Sequence, residues 1–337
     1  MDGNYLVNST RKVRIGILGC ANIAKRSVIP SLLELNKYFQ VVAVASRSPE
    51  KASEFGDLFK CESVVGYEPL LLRDDIEALY IPLPTGLHLE WISKAILRGK
   101  HVYAEKSFAS DLNETKQLTS MAKAQSVALM EGYMFIYHAQ HRYVLNLLKN
   151  GQLGDLRHFS GYFGFPPLPS ENFRYDQKVG GGALMDAAGY PVRAAHLICG
   201  DSLTVCAAST YFDPQSGTTL WGSAFLSDGR GLGASIAYGF DNSYQCNYSI
   251  WGSKAKLTVE RAYTPQPQLV PQLVLENADG KHIIDTSADN HFSAALIEFY
   301  RAIINPSHRD LHYNQILNQS MALQCIRDLS TRQAHSL

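Results

Sequence analysis

The sequence predicts an α/β fold in which a parallel-sheet domain is followed by an α+β domain built on an open antiparallel sheet. In the first third of the 337 residues, short apolar runs alternate with helical patterns. After about residue 150, strand-like runs follow one another with only short turns between them. Hydrophobic residues make up 46% of the chain, and this length and composition suit two domains with sizeable cores.

The apolar runs of the first third are interpreted as buried strands, and the stretches between them as helices. The predicted strands are Val13–Leu18, Val41–Ala45, Leu79–Pro82, His101–Ala104 and Val127–Glu131. The predicted helices are Asn22–Asn36, Pro49–Phe59, Gly86–Arg98 and Asp111–Gln125. Strand-helix repetition gives right-handed βαβ units and therefore a parallel sheet. Pro30, inside the first helical pattern, predicts a short first turn, a break and a restart.

The second part of the chain is rich in alternating strand patterns. The predicted strands are Leu156–Phe165, Ser202–Tyr211, Leu220–Leu226, Gly231–Phe240, Ser243–Trp251, Lys256–Glu260 and Gln268–Leu275. Short turn signals such as Ser227-Asp228-Gly229 separate them, which favours antiparallel pairing. Helical spacing appears at Asp186–Cys199, Asn290–Ile304 and Asn314–Thr331. We place the domain bounds at 1–132 and 133–337.

Charge and cysteine usage limit the partners and the compartment. Lys+Arg and Asp+Glu each number 31, so no excess positive field favours nucleic acid or a membrane surface. The six cysteines include no Cys-x-x-Cys pair, which is typical of buried thiols in a reducing compartment. No apolar signal region or membrane-spanning run occurs. We expect a cytoplasmic protein without a nucleic-acid or membrane partner.

The turn after the first strand has the small residues of a dinucleotide site. Gly19-x-Ala21-x-x-Ala24 is a relaxed form of the Gly-x-Gly-x-x-Gly pattern. Small residues let the backbone approach a pyrophosphate at a helix amino terminus, where the N–H groups and the helix dipole favour negative charge. The sequence therefore predicts a Rossmann-type domain. Its predicted pyrophosphate loop consists of Gly19, Cys20, Ala21, Asn22 and Ile23.

The end of the second strand selects the cofactor. NAD enzymes usually place an acid there to hold the ribose hydroxyls, but this chain has Ser46 and Arg47. A carboxylate would repel a 2′-phosphate, whereas Ser46 and Arg47 can bind one, so we predict NADP(H). The alternative is that Arg47 is a solvated surface residue and Ser48 only caps the following helix.

Two distant motifs suggest acid catalysis. His101–Ser107 is a buried strand that ends on Lys106, and Gly180–Tyr190 is a glycine-rich loop that runs into a helix. In one continuous helix, Asp186 and Tyr190 would lie on the same face. A lysine beside a tyrosine stabilises the phenolate, so the tyrosine can give up its proton at neutral pH.

Other polar residues have both a functional and a structural interpretation. Asp186, Arg174 and His138 are the predicted substrate-binding residues. Asp186 could instead be a helix-start residue, and Arg174 and His138 could lie on the surface. His138 and His141 are three apart, but no third ligand follows at a suitable spacing, so we predict no metal. His196 is interpreted as a core residue.

Several motifs together resemble the glucose-fructose oxidoreductase / inositol dehydrogenase family (Gfo/Idh/MocA), from Val13 to about Arg327. They are Ile81–His88, Glu105-Lys106, Glu131–Met134, Gly180–Tyr190, Tyr248–Lys254 and Asp289–Phe292. The chain departs from the family pattern at Ser107, where a proline is usual, and at Ile136, where an arginine is common. The first departure implies a less rigid backbone around Lys106, and the second implies a different substrate pocket.

The resemblance implies roles for particular residues. Lys106 matches the catalytic lysine, Tyr190 the proton donor, and Asp186 the acid one helical turn earlier. The loop that borders the nicotinamide ribose is matched by Leu83, Pro84 and His88, and Glu105 is implied as a further cofactor contact.

With Tyr190, the chain resembles the tyrosine branch of the family, which includes nucleotide-sugar ketoreductases and dihydrodiol dehydrogenases. We therefore expect an NADP(H)-dependent oxidoreductase that transfers a hydride to or from a sugar carbon. The first expectation is reduction of a keto group on a nucleotide-linked hexose in a deoxysugar pathway. The same-class alternative is a dehydrogenase of free sugars or trans-dihydrodiols. The alternative of another class is a non-catalytic NADP-binding regulator.

The open sheet also predicts self-association. One of its faces packs on its own helices, and the other needs cover. Strand alternation places Phe163 and Phe165 on one face and Tyr162 on the other. We predict a homodimer or a dimer of dimers.

Overall fold

The computed structural model describes residues 11–176 and 181–334, with side chains to residue 330. Gly180 of the glycine-rich motif and the first ten residues, on which the expectation of no signal region partly rests, lie outside the described residues. The chain divides into two compact units. One contains the residues up to Gly132 together with Phe292–Leu317, and the other contains Tyr133–His291 and the residues from Asn318 onward.

Strands and helices alternate in the first part of the chain, and strands dominate the second part. The strands are β1 Val13–Leu18, β2 Phe39–Ser46, β3 Glu62–Val65, β4 Ala78–Ile81, β5 His101–Ala104, β6 Leu129–Glu131, β7 Leu156–Gly164, β8 Thr204–Phe212, β9 Thr219–Ser227, β10 Gly233–Gly239, β11 Gln245–Gly252, β12 Ala255–Val259, β13 Gln272–Asn277 and β14 Gly280–Asp285. The helices are α1 Ile29–Glu34, α2 Pro49–Phe59, α3 Glu68–Leu71, α4 His88–Leu97, α5 Leu112–Ala124, α6 Ala139–Lys149, α7 Ala183–Asp186, α8 Gly189–Cys199, α9 His291–Ile304 and α10 Arg309–Ala334. No helix within residues 11–176 and 181–334 is long and apolar enough to cross a bilayer.

The first unit contains a six-stranded parallel sheet with the order β3-β2-β1-β4-β5-β6. The chain builds one side of the sheet outward from β1 and then returns to build the other side from β4. The direction of winding therefore reverses between β1 and β4. This doubly wound arrangement confirms the predicted Rossmann-type fold.

The region around Pro30 differs from its prediction. No gap interrupts the helix; instead a π-helical stretch, Ala24–Val28, runs directly into α1. Pro30 lies in the first turn of α1, where a missing N–H breaks no helical hydrogen bond. The expected break is therefore a change of helix type.

Part of the C-terminal tail belongs to the first unit. Tyr300 donates its hydroxyl to the carbonyl of Arg11 at 2.6 Å, and the ring of Phe299 lies 5.6 Å from that of Tyr103 on β5. Tyr313 and Ile316 join the buried core of the same unit. The bounds 1–132 and 133–337 stay a prediction. These bounds assign the C-terminal tail to the second domain, because the apolar face of a helix does not show in the sequence which sheet the helix covers.

The second unit contains an eight-stranded sheet with the order β14-β13-β12-β11-β7-β10-β9-β8. Its pairs are antiparallel except for β7 with β10, which run parallel. The predicted antiparallel sheet is therefore confirmed except at this one pair, which is parallel because β10 enters the sheet beside a strand that is not its neighbour in sequence. Phe163 is buried and Tyr162 is exposed, which confirms the predicted alternation along β7.

The glycine-rich motif is followed by two helices and not by one. Ala187 and Ala188 separate α7 from α8. Asp186 therefore ends one helix and Tyr190 lies in the first turn of the next, so the prediction of a single continuous helical face is wrong.

Candidate functional site

The loop after β1 is shaped by a close approach to the loop after β4. Gly19 has φ +128° and donates its N–H to the carbonyl of Ala45 at 3.0 Å. A Cβ atom on Gly19 would lie 2.8 Å from Cδ2 of Leu83, so only glycine fits. Two of the predicted cofactor loops thus meet where the winding of the sheet reverses, which is where such sheets bind ligands.

The residues that follow Gly19 continue the loop after β1. Cys20, Ala21 and Ile23 are half-buried and Asn22 is exposed. Sγ of Cys20 lies 3.8 Å from the carbonyl of Ala45. Burial raises the pKa of Cys20 to about 11, so the thiol carries no charge that would repel a pyrophosphate at neutral pH.

Three consecutive residues at the end of β2 make different contacts: Ser46, Arg47 and Ser48. Ser46 is buried, and its hydroxyl accepts from the N–H of Ser48 at 3.2 Å. Ser48 caps α2 by accepting from the N–H of Lys51, also at 3.2 Å. Arg47 is exposed and forms no ion pair within the described part of the chain. The cap at Ser48 is therefore compatible with a phosphate-binding role for Arg47.

Glu105 and Lys106 follow the last residue of β5. The N–H of Glu105 donates to the carbonyl of Ile81 at 3.0 Å, which extends the pairing of β4 with β5. The hydroxyl of Tyr80 donates to Oε1 of Glu105 at 2.7 Å. Lys106 is half-buried, and its peptide bond to Ser107 is cis. Sequence reasoning missed Tyr80, although a tyrosine in a buried strand needs a hydrogen-bond partner.

His88 lies at the start of α4 and contacts backbone on both sides of its ring. The side chain is fully buried. Its Nδ1 lies 3.0 Å from the carbonyl oxygen of Phe108, and its Nε2 lies 2.8 Å from that of Leu83. Burial lowers the pKa of His88, and the contacts with backbone carbonyls oppose that shift. Pro84, half-buried, follows Leu83 in the same loop.

Glu131 contacts the backbone of Phe108, whose carbonyl oxygen faces His88. Its Oε1 accepts from the N–H of Phe108 at 2.9 Å, and its side chain is buried at the end of β6. Glu131 belongs to one of the family motifs in the sequence, but no role is predicted for it there. A buried carboxyl at a strand end was the available signal.

In the second unit, Tyr190 lies in a cage of aromatic side chains. The phenol is 6% exposed. Four rings surround it at centroid distances from 4.6 Å to 5.8 Å: Tyr133, Phe135, Phe163 and Tyr263. These contacts fix the orientation of the ring, as a directional proton donor requires.

Two predicted substrate residues pair with each other in this unit. Nε of Arg174 lies 2.9 Å from Oδ2 of Asp186. The backbone around the pair is also fixed, because Gly182 donates to the carbonyl of Arg174 at 2.7 Å. Gly182 has φ +107°, and a Cβ atom there would lie 2.5 Å from Oγ1 of Thr219. Arg174 and Asp186 are thus one charged pair on a constrained loop.

The predicted substrate residue His138 is buried and caps α6. Its Nδ1 accepts from the N–H of Gln140 at 3.1 Å, and its ring lies 5.8 Å from that of His291. His141 contacts the hydroxyl of Tyr248 and the carbonyl of Ala262, each at 2.8 Å. Within the described ranges, no three side chains of metal-binding type gather.

His196, interpreted from the sequence as a core residue, is buried in α8. Burial lowers its pKa to about 4. Ile136, where an arginine is common in the resembling family, is buried in the core of the same unit.

Two family models match most of the described chain. Residues 13–133 match the oxidoreductase family GFO/IDH/MocA with an NAD-binding Rossmann fold, and residues 141–258 match the GFO/IDH/MocA C-terminal domain. The chain belongs to the Gfo/Idh/MocA oxidoreductase family. The predicted resemblance is confirmed.

Individual relatives of this Gfo/Idh/MocA chain are also similar over nearly their whole length. A dTDP-3,4-didehydro-2,6-dideoxy-α-D-glucose 3-reductase of Saccharopolyspora spinosa is 41% identical over 87% of this chain and 88% of the relative. The crystal structure of a 3-ketoreductase from Actinomadura kijaniata, in complex with NADP and TDP-benzene, has a TM-score of 0.90 at 35% identity. That match covers 94% of this chain and 98% of the other. Structures of the same ketoreductase exist with a tyrosine replaced by phenylalanine and with a lysine replaced by alanine.

Proposed function

We propose that this Gfo/Idh/MocA oxidoreductase uses NADPH to reduce a keto group of a nucleotide-linked hexose. The similarity to the dTDP-sugar 3-reductase of Saccharopolyspora spinosa, which extends over most of both chains, carries this proposal. The ketoreductase of Actinomadura kijaniata, described with NADP, supports the same cofactor.

The residues of the first unit suit this cofactor. Gly19 lets the loop after β1 approach Leu83 closely, and the neutral Cys20 thiol adds no repulsion. Ser46 and Arg47 stand where an NAD enzyme usually has an acid, and they would hold the 2′-phosphate. When bound, NADPH supplies the hydride that adds to the carbonyl carbon.

Lys106 and Tyr190 are proposed to act on the carbonyl oxygen of the substrate. Tyr190 donates its phenolic proton to the oxygen as the hydride reaches the carbon, so the ketone becomes an alcohol. Lys106 stabilises the resulting phenolate by its positive charge. The lysine and tyrosine replaced in the Actinomadura structures have the same sequence spacing as Lys106 and Tyr190, which supports the pairing. Arg174 and Asp186 are proposed to contact the substrate as a pair.

Assembly is part of the same proposal. The second unit exposes aromatic residues on several strands of its sheet. They are Tyr162, Tyr211, Trp221, Phe225 and Trp251. We infer that a second copy of the chain covers this surface, because contiguous exposed aromatic surface favours burial and a two-fold dimer is the simplest closed assembly.

A direct test is a substrate screen with purified protein. NADPH oxidation is followed with dTDP-linked keto-hexoses, and NADP⁺ reduction is followed in parallel with free sugars and trans-dihydrodiols. The proposal predicts turnover with the keto-hexose nucleotides and at least about tenfold lower kcat/KM with the free sugars. Turnover confined to free sugars or dihydrodiols would contradict the nucleotide-sugar assignment. NADPH binding without any turnover would favour a non-catalytic regulator.

A further inference from the structure

His88 joins two loops that the proposed reaction uses. Its Nε2 faces the carbonyl of Leu83, in the loop after β4, and its Nδ1 faces the carbonyl of Phe108, two residues after Lys106. The ring is fully buried, so water does not compete for either contact. Both ring nitrogens thus face backbone carbonyl oxygens at hydrogen-bond distance.

We propose that His88 is a positioning residue that couples the placement of Lys106 to the nicotinamide-side loop at Leu83. This inference rests on the proposed function, in which Lys106 acts on the substrate oxygen. His88 touches neither substrate nor cofactor in this role; it acts through the backbone of the two loops.

The chemistry of the contacts explains why a histidine suits this position. A carbonyl oxygen only accepts hydrogen bonds, so each contact needs an N–H group on the ring. Neutral imidazole has one such group and donates to one loop at a time, whereas the protonated ring donates to both. In either form the rigid ring spans the two carbonyls at fixed distances.

The Phe108 peptide segment is held from two directions. His88 contacts its carbonyl oxygen, and Glu131 accepts from its N–H at 2.9 Å. Ser107, between Lys106 and Phe108, stands where the family usually has a proline. The two buried side chains therefore restrain the backbone next to Lys106, where this chain lacks the ring of a proline.

Two substitutions at one position separate the two contacts. In His88→Asn the side-chain amide can replace Nδ1, so the contact with the carbonyl of Phe108 is kept and that with Leu83 is lost. In His88→Gln the longer amide can replace Nε2, so the contact with the carbonyl of Leu83 is kept and that with Phe108 is lost. Loss of either contact, together with the rigid ring that spans both carbonyls, is expected to change a rate or binding constant about tenfold.

The expected result is a crossed pattern. His88→Gln lowers kcat about tenfold with a dTDP-linked keto-hexose and leaves the Kd of NADPH within about twofold. His88→Asn raises the Kd of NADPH about tenfold and leaves kcat within about twofold. A purely structural role would lower kcat and raise the Kd of NADPH together in both variants, and that result, or no change in either parameter, would overturn the proposal.

The matched control is His101→Gln, at the opposite end of β5. His101 is half-buried and also has a ring contact with backbone, because its Nδ1 accepts from the N–H of Ala128 at 2.8 Å. This variant is expected to lose stability without changing kcat or the Kd of NADPH.

Two further measurements test the same coupling. The first leaves His88 unchanged, and the second requires no substrate. Glu131→Ala releases the N–H of the same peptide segment and is expected to lower kcat while the Kd of NADPH stays unchanged.

Hydrogen exchange of the loop amides requires no turnover: His88→Gln should speed exchange around residues 106–110, and His88→Asn around residues 83–87. If the two variants show this exchange pattern, and the wild-type protein binds NADPH but reduces no keto-hexose, the proposed function fails and the coupling stands. Unchanged exchange in both loops would contradict the coupling itself.

Discussion

At the scale of single residues, Arg47 is proposed to decide between two cofactors. Its exposed guanidinium follows the end of β2, where an acid would be expected for NAD. A charge-assisted contact with a 2′-phosphate contributes about 1.5–3 kcal/mol, or roughly tenfold to a hundredfold in affinity. Arg47→Ala should therefore weaken NADPH binding by that factor and leave NADH binding unchanged in fluorescence titrations.

Arg98→Ala, at an exposed arginine after α4, is the control for a general loss of positive charge. It should alter neither affinity. An unchanged ratio of NADPH to NADH affinity in Arg47→Ala would remove Arg47 from the cofactor site.

Residue types could be predicted from the sequence more readily than residue contacts. Lys106 and the loop at Gly19 follow from their places at strand ends. The hydrogen bond from Tyr80 to Glu105 depends on β4 lying beside β5, with Tyr80 opposite Tyr103. Neither the strand order nor this register is encoded in the local sequence pattern.

At the scale of elements, local signals set the boundaries that were predicted well. The helix α2 has the predicted bounds because Ser48 caps it and Pro49 starts it. The strand β14 was missed because its side chains are almost all exposed and show no alternation. The parallel pairing of β7 with β10 was also missed, because it depends on where distant strands enter the sheet.

The second unit should lose stability in acid because it buries neutral histidines. His141 links α6 to β11 through Tyr248, and burial lowers its pKa to about 3. Burial also lowers the pKa of His291 to about 3. Folded pKa values below the unfolded value of 6.5 mean that this stability is complete above pH 6.5 and is lost as the pH falls. The loss amounts to about 1.4 kcal/mol per pH unit for each histidine.

Urea unfolding between pH 7.5 and pH 5 measures this effect. His141→Gln should be less stable than wild type at pH 7.5 but should lose less stability on acidification. His282→Gln, at an exposed histidine on β14, should keep the wild-type slope. A free energy of unfolding that does not change over this range would contradict the assignment.

At the scale of the whole molecule, the outer face of the second sheet predicts the assembly. The rings of Tyr211 and Trp221 stack at 4.0 Å, and Trp251 is 65% exposed. Light scattering at micromolar concentration should give the mass of a dimer or of two dimers. Trp221→Glu and Trp251→Glu should shift that mass toward one chain, because a buried charge in an interface is costly.

Leu97→Glu is the matched control for the assembly test, since Leu97 is also 65% exposed but lies on α4 of the first unit. It should leave the mass unchanged. A monomeric mass for the wild-type protein would refute the dimer.

Lys106 and Tyr190 are proposed to act as one proton-donating unit, and the turnover of Tyr190→Phe tests this most directly. The substitution keeps the ring within its aromatic cage and removes only the hydroxyl. General acid catalysis contributes about 10²–10⁴-fold, so kcat with a dTDP-linked keto-hexose should fall at least about a hundredfold while the Kd of NADPH changes little. Lys106→Ala should fall similarly, and the double variant should be scarcely worse than either single variant. Near-wild-type turnover of Tyr190→Phe would contradict the account and would leave Asp186 or His196 as the acid to test.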